Sequence, residues 1–258
     1  MQKTPLINLN ISLGSYQEFC KNILQIAVRS ESEYVCVSNV HMLIEAGKHE
    51  EFAHVVNNAV IATPDGLPLV WALKWLYGIK QERVAGMDLL PDLLLEASRS
   101  KIPVFFYGST EEVLEKTEVH ISENYQGIPY VMSYSPPFRP LTDEENDQVV
   151  HLINESGAKL VFVALGCPKQ ERWMASMHGK INAVMIGIGG ALPVFIGAQT
   201  RAPQWMQKNG LEWFFRLCQE PQRLWKRYLV TNSLFLFLLL KEKIKMLIRH
   251  ESSIEQFA

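Results

Sequence analysis

Six short apolar runs, each followed by an amphipathic stretch, constrain the fold of this chain most. They are YVCVSN (34–39), AVIAT (59–63), IPVFFYG (102–108), IPYVMS (128–133), KLVFVALG (159–166) and NAVMIGIGG (182–190). Apolar runs of this length, bounded by turn residues, predict buried strands. Their alternation with helical stretches predicts an α/β fold: a mostly parallel sheet with helices on both faces. Ser109-Thr-Glu-Glu112 and Thr142-Asp-Glu-Glu145 have the capping-box pattern, and each predicts a helix start.

In such a sheet, ligands gather where strands end at their carboxyl side. Five features fall there: Ser38-Asn39, Pro64-Asp65-Gly66, Gly108-Ser109, the loop from Gly166 to Glu171, and Gly187-Ile-Gly-Gly190. Each has two readings. Pro64-Asp65-Gly66 is a turn signal, yet a carboxylate at a strand tip can also take a proton from a hydroxyl. Arg83 and Asp88 form a surface pair, or Asp88 is a helix-start acid, or Arg83 binds a phosphate or sugar oxygen. Lys169, Gln170 and Glu171 cap a helix or meet a ligand. Gly187, Gly189 and Gly190 make a tight turn, or a turn whose amides face an anion.

The last quarter of the chain differs in composition. Residues 201–258 carry ten Lys/Arg against five Asp/Glu, while the first 200 carry fifteen against twenty-two. A basic piece on an acidic body points to a local anionic partner. The break at 201 predicts a core over 1–200 and an appendage over 201–258. Arg216, Arg223 and Arg227 share a helical face if one helix runs through Pro221; otherwise two helices meet there. Trp213, Trp225 and Tyr228 are interleaved with them, and Leu229–Leu240 and three lysines follow. That order suits an interfacial segment or a buried terminal helix. The apolar stretch is about a dozen residues, short of the ~20 that span a bilayer.

Other classes find less support. The four cysteines have no CxxC spacing and the seven histidines no HExxH, so a metal site is not expected. No Asp-x-Asp pair is present to hold a sugar-nucleotide metal. The acidic run Asp143–Asp147 reads as a solvated helix start. The N-terminus lacks a continuous apolar stretch of the secretory type, and free thiols then suggest a reducing compartment. A dinucleotide oxidoreductase would need Gly or Ala at 192, where Leu stands. A non-catalytic protein binding lipid phosphate at a membrane surface is the other alternative.

ATPDGLPLVW, RVAGMDLL, LGCPKQERW, GIGG and RAPQWMQKNGLEWFFRL, in that order, resemble the WecG/TagA/CpsF glycosyltransferases, with the resemblance running from about Tyr34 to Tyr228. It implies a Rossmann-like core and a C-terminal appendage that docks on the membrane and helps close the active site. It also implies transfer, with inversion, of an N-acetylmannosamine-type sugar or related hexose from a UDP-sugar to a polyprenyl-diphosphate-linked saccharide. The products would feed bacterial surface polymers. No metal, cofactor or nucleic acid is implied, and the location would be cytoplasmic, on the inner face of the cell membrane. Carried over by motif, Asp65 is the general base, and Asn39 and Arg83 line the sugar and acceptor pocket. Gln170 contacts the donor, the amides of Gly187, Gly189 and Gly190 lie near the nucleotide, and Arg216, Arg223 and Arg227 reach the diphosphates. Two positions depart from the family pattern: Val37 where Thr is frequent, and Pro193 where Asp is frequent.

Overall fold

A computed structural model describes residues 1–255, with side chains through residue 248. All six predicted strands form, as β3 (Glu33–Ser38), β4 (Ile61–Pro64), β5 (Val104–Gly108), β6 (Val131–Tyr134), β7 (Leu160–Ala164) and β8 (Val184–Gly187). They make one parallel sheet in the order β4-β3-β8-β7-β5-β6. The sequence reading missed a hairpin before it, β1 (Lys3–Leu6) and β2 (Leu9–Ser12). There the Ala62 N–H donates to Ser12 Oγ at 3.0 Å, so the hairpin lies along the outer edge of β4 and covers it.

Successive strand residues face opposite layers. Tyr34 and Cys36, Phe105 and Tyr107, Val161 and Val163, and Met185 enter one core; Val35 and Val37, Val104 and Phe106, Leu160 and Phe162, and Val184 and Ile186 enter the other. The first core is covered by α2 (Val40–Lys48), α3 (Glu50–Asn58), α4 (Leu67–Tyr77), α7 (Asp143–Glu155) and α8 (Lys169–Met177). The second is covered by α1 (Tyr16–Arg29), α5 (Gly86–Ser100), α6 (Glu111–Asn124) and α9 (Ala191–Phe195). Fully burying side chains of this size contributes about 1.5–3 kcal/mol each, so the alternation fixes the register of every strand.

One predicted cap forms and one does not. Thr142 and Glu145 make the complete capping box of α7. The Ser109–Glu112 box is absent: Ser109 takes a left-handed φ of 72° and Thr110 becomes the N-cap, without a side-chain bond. The chain turns one residue later than the pattern implied.

After α9 come α10 (Gln204–Lys208), α11 (Glu212–Gln219) and α12 (Pro221–Glu255). The helix breaks at Glu220, so Arg216 does not share a face with Arg223 and Arg227; two helices meet at Pro221. Leu224, Thr231 and Phe235 form a buried stripe on α12, which packs against α2 and α4. Leu238, Leu239 and Met246 are partly buried beside it, while Leu229, Leu236, Phe237, Leu240 and Ile244 are exposed. The buried-helix reading of the tail holds for that stripe, and the exposed residues leave an apolar face open. No helix among the described residues is long and apolar enough to cross a membrane.

Candidate active site

The four adjacent strands β4, β3, β8 and β7 deliver four of the five predicted features to one sheet edge; Gly108-Ser109 follows the next strand, β5. Asp65 directly follows β4, and its N–H donates to the Ser38 carbonyl at 2.9 Å, which fixes it beside the end of β3. The segment before α5 crosses this point. Val84 N–H donates to the Pro64 carbonyl at 2.9 Å, and Thr63 Oγ1 donates to the Val84 carbonyl at 3.0 Å. That crossing brings Arg83 to Asp65.

Asp65 is partly buried among charges. Desolvation pushes its pKa up to about 7; Arg83 and Arg216 pull it down, and Glu212 and Asp88 push it up. A carboxyl group with that value is suited to accept a proton near neutral pH. Arg83 is itself engaged. It donates to Glu212 and, at 3.0 Å, to Asp88. Arg201 joins the same group, with Nη2 2.6 Å from Asp88 Oδ1. Arg83 and Asp88 are thus the predicted pair, extended by two residues from the C-terminal segment.

The glycine turn follows β8. Gly189 has a left-handed φ of 49°, and Ile188 and Gly189 both donate to the Val163 carbonyl, at 2.9 and 3.3 Å. Ala191 donates to the Ile188 carbonyl. The turn is therefore not an open nest of amides, because most of them close the turn itself. At Gly190 a side chain would begin 3.0 Å from Arg216 Nη2, so the guanidinium covers the turn there.

Gln170 supports the turn from beneath. It is 4% exposed. Its Oε1 accepts from the Gly166 N–H at 3.1 Å and its Nε2 donates to Glu171 Oε1 at 2.7 Å. A side chain at Gly187 would begin 2.9 Å from that same Nε2. The carboxamide expected to meet the donor is thus committed inside the protein. Glu171 is fully buried, and desolvation raises its pKa to about 7.

The remaining predicted residues divide. Asn39 caps α2, its Oδ1 accepting from the Met42 N–H at 3.1 Å. Arg223 is exposed and pairs with Glu220 at 2.5 Å, rather than joining the group around Asp65. Arg227 lies close enough to His41 to lower that ring's pKa, after burial lowers it first. Val37 is buried in the second core and Pro193 sits within α9, so neither adds a polar side chain to the edge. Sequence reasoning missed Glu212, Arg201 and His41. For His41, its place two residues after Asn39 was the available signal.

A cavity of about 500 Å³ opens next to this group, lined by Leu67, Arg83, Gln204, Gln207 and Lys208. A larger groove of about 690 Å³ between α1 and α5 contains none of the residues described above. Among the described residues, no three or more His, Cys, Asp or Glu gather as a metal-ligand group.

The family described as the glycosyl transferase WecG/TagA/CpsF family matches residues 4–249, nearly the whole chain. The chain belongs to this family. It is a glycosyltransferase. A Bacillus subtilis relative, an N-acetylglucosaminyldiphosphoundecaprenol N-acetyl-beta-D-mannosaminyltransferase, is 34% identical over 208 residues, covering 80% of this chain and 79% of the relative. A Bacillus spizizenii protein of the same name is 30% identical over 231 residues, covering 89% and 88%. The resemblance read from five motifs is therefore correct, and it extends to the N-terminal hairpin and into α12. The residues gathered at this glycosyltransferase's sheet edge come from both its core and its C-terminal helices.

Proposed function

We propose that this glycosyltransferase moves an N-acetylmannosamine-type sugar, or a related hexose, from a UDP-sugar to a polyprenyl-diphosphate-linked saccharide, with inversion and without a metal. The relatives' names supply the acceptor class and the sugar type. The observation that carries the mechanism is Asp65, held at a sheet edge with Arg83 and Arg216 beside it and a pKa near neutral.

In this reading the acceptor hydroxyl gives its proton to the Asp65 carboxylate as its oxygen attacks the anomeric carbon. The bond from that carbon to the diphosphate oxygen breaks, and UDP leaves with the electron pair. Arg216 and the Gly190 N–H face the charge that develops there, which is electrostatic stabilisation by groups fixed in advance. A single displacement suits the site because the nearby carboxylates of Asp88 and Glu212 are held by guanidinium groups. Gln170 and Glu171 shape the turn from below, and Asn39 orders the end of β3.

The core of 1–200 would hold the donor, and the 201–258 appendage would dock on the inner face of the cell membrane. Residues 256–258 of that appendage lie outside the described ones. The exposed apolar face of α12 would enter the interface, with Lys241, Lys243 and Lys245 beside it; each basic residue near an anionic leaflet adds about 1 kcal/mol. The products would serve bacterial cell-surface polysaccharide synthesis. The test is a screen of UDP-sugars against a short-chain lipid-diphosphate-sugar acceptor, with and without EDTA. Turnover with one N-acetylhexosamine donor that survives chelation is expected. Turnover that needs added Mg²⁺ or Mn²⁺ would overturn the metal-free reading.

A further inference from the structure

We propose that Glu212 and Arg201 are positioning residues for the transfer: with Arg83 and Asp88 they close a ring of four alternating charges that clasps α11 onto the core and sets Arg216 over the glycine turn. The proposal rests on the reading of Asp65 as the base and adds the means by which the C-terminal segment completes that site.

Three sides of the ring are hydrogen bonds and the fourth is a longer ion pair. Asp88 Oδ2 accepts from Arg83 Nη2 at 3.0 Å, and Asp88 Oδ1 accepts from Arg201 Nη2 at 2.6 Å. Glu212 Oε2 accepts from Arg83 Nη1, and Glu212 Oε1 lies 3.7 Å from Arg201 Nε. Each carboxylate thus gives one oxygen to each guanidinium. The side chains are 15–33% exposed, between a surface pair of little value and a buried one. Removing one member strands the charge of its neighbours, so the four act as one unit.

The ring has few rivals in fixing α11. No residue of that helix is buried. The helix meets α10 and α12, while Arg83 reaches Glu212 across 129 residues of sequence and Arg201 reaches Asp88 across 113. Glu212 and Arg216 are one turn apart, so they share a face, and anchoring the first orients the second. Arg216 then stands against Gly190. The charged groups acting on Asp65 are Arg83 from the preceding segment, Asp88 from α5, and Glu212 and Arg216 from α11. Three of these four are ring members, and the fourth, Arg216, is one turn on from Glu212.

The experiment uses the full chain with donor and short-chain acceptor, and compares Glu212→Gln, Arg201→Gln, the double variant and Arg201→Lys. Each Gln variant is expected to lower kcat roughly 10- to 100-fold, the cost of a misplacement of about 1 Å. The double variant is expected to be no worse than the poorer single one, because the ring is already broken. Arg201→Lys, which keeps the charge but not the fork, is expected to fall between. The acidic limb of the pH–rate profile should move to lower pH in Glu212→Gln and stay in place in Arg201→Gln, a split that loss of folding alone does not produce. Wild-type kcat in both Gln variants, or losses that multiply in the double one, would overturn the clasp. Asp65→Asn run alongside separates the two claims: an active Asp65→Asn enzyme refutes the base, whatever the ring variants do.

Discussion

Arg83 donates a hydrogen bond to Glu212, joining the segment beside Asp65 to the first turn of α11. That contact makes Asp65 and Arg216 parts of one arrangement. The two acidic residues near Asp65, Asp88 and Glu212, are each paired with Arg83 and Arg201.

The pH dependence of stability follows from two carboxyl groups. Asp65 and Glu171 have pKa values raised by desolvation to about 7, against 3.8 and 4.5 for the free groups. Between those values and 7, the folded protein holds more protons than the unfolded chain. Stability therefore falls as pH rises through that window and levels off above it. Denaturant midpoints from pH 5 to pH 8 should show the decline, and Asp65→Asn and Glu171→Gln should each flatten it. A midpoint that rises with pH over this range in the wild type would contradict the assignment.

The glycine turn predicts two different lesions. At Gly187 a methyl group would meet Gln170 Nε2 at 2.9 Å and Met174 Cε at 3.0 Å, both within the packed interior. Gly187→Ala should destabilise the fold by about 1–3 kcal/mol, measured by chemical denaturation. At Gly190 the methyl group meets only the mobile end of Arg216. Gly190→Ala should leave the denaturation midpoint in place and lower kcat by roughly tenfold through displacement of that guanidinium.

Much of this arrangement could be read from the chain, and the exceptions have physical causes. Five of the six strands were legible as apolar runs that enter two buried layers, as Phe105 and Phe106 do; β6, at the sheet's end, was legible only as an apolar run. The strands of the N-terminal hairpin, Lys3-Thr-Pro-Leu6 and Leu9-Asn-Ile-Ser12, are broken by polar residues and carry no apolar run to mark them. Asp65 and Arg83 were legible from their place at a strand end and beside a turn. Glu212 was not, since nothing in its local sequence records a partner 129 residues away. The place of Gln170 beside the glycine turn was legible but its direction was not, because its amide is taken up by Gly166 and Glu171.

Membrane docking by α12 is tested on its exposed face. Leu236, Phe237 and Leu240 are 55–62% exposed. Replacing each with Ser should weaken binding to anionic vesicles by about tenfold, the value of one buried apolar side chain. Turnover with a short-chain acceptor in solution should stay unchanged. Equal losses in both assays would place these residues in the fold rather than at a membrane.

The most direct measurement is single-turnover transfer by Asp65→Asn with the matched donor and acceptor, alongside UDP binding by the same protein. The chemical step should slow by about 10²- to 10⁴-fold, the usual contribution of a positioned base, while UDP binding persists. In the wild type the same step should quicken as pH rises through about 7. A chemical step in Asp65→Asn at the wild-type rate would contradict the account.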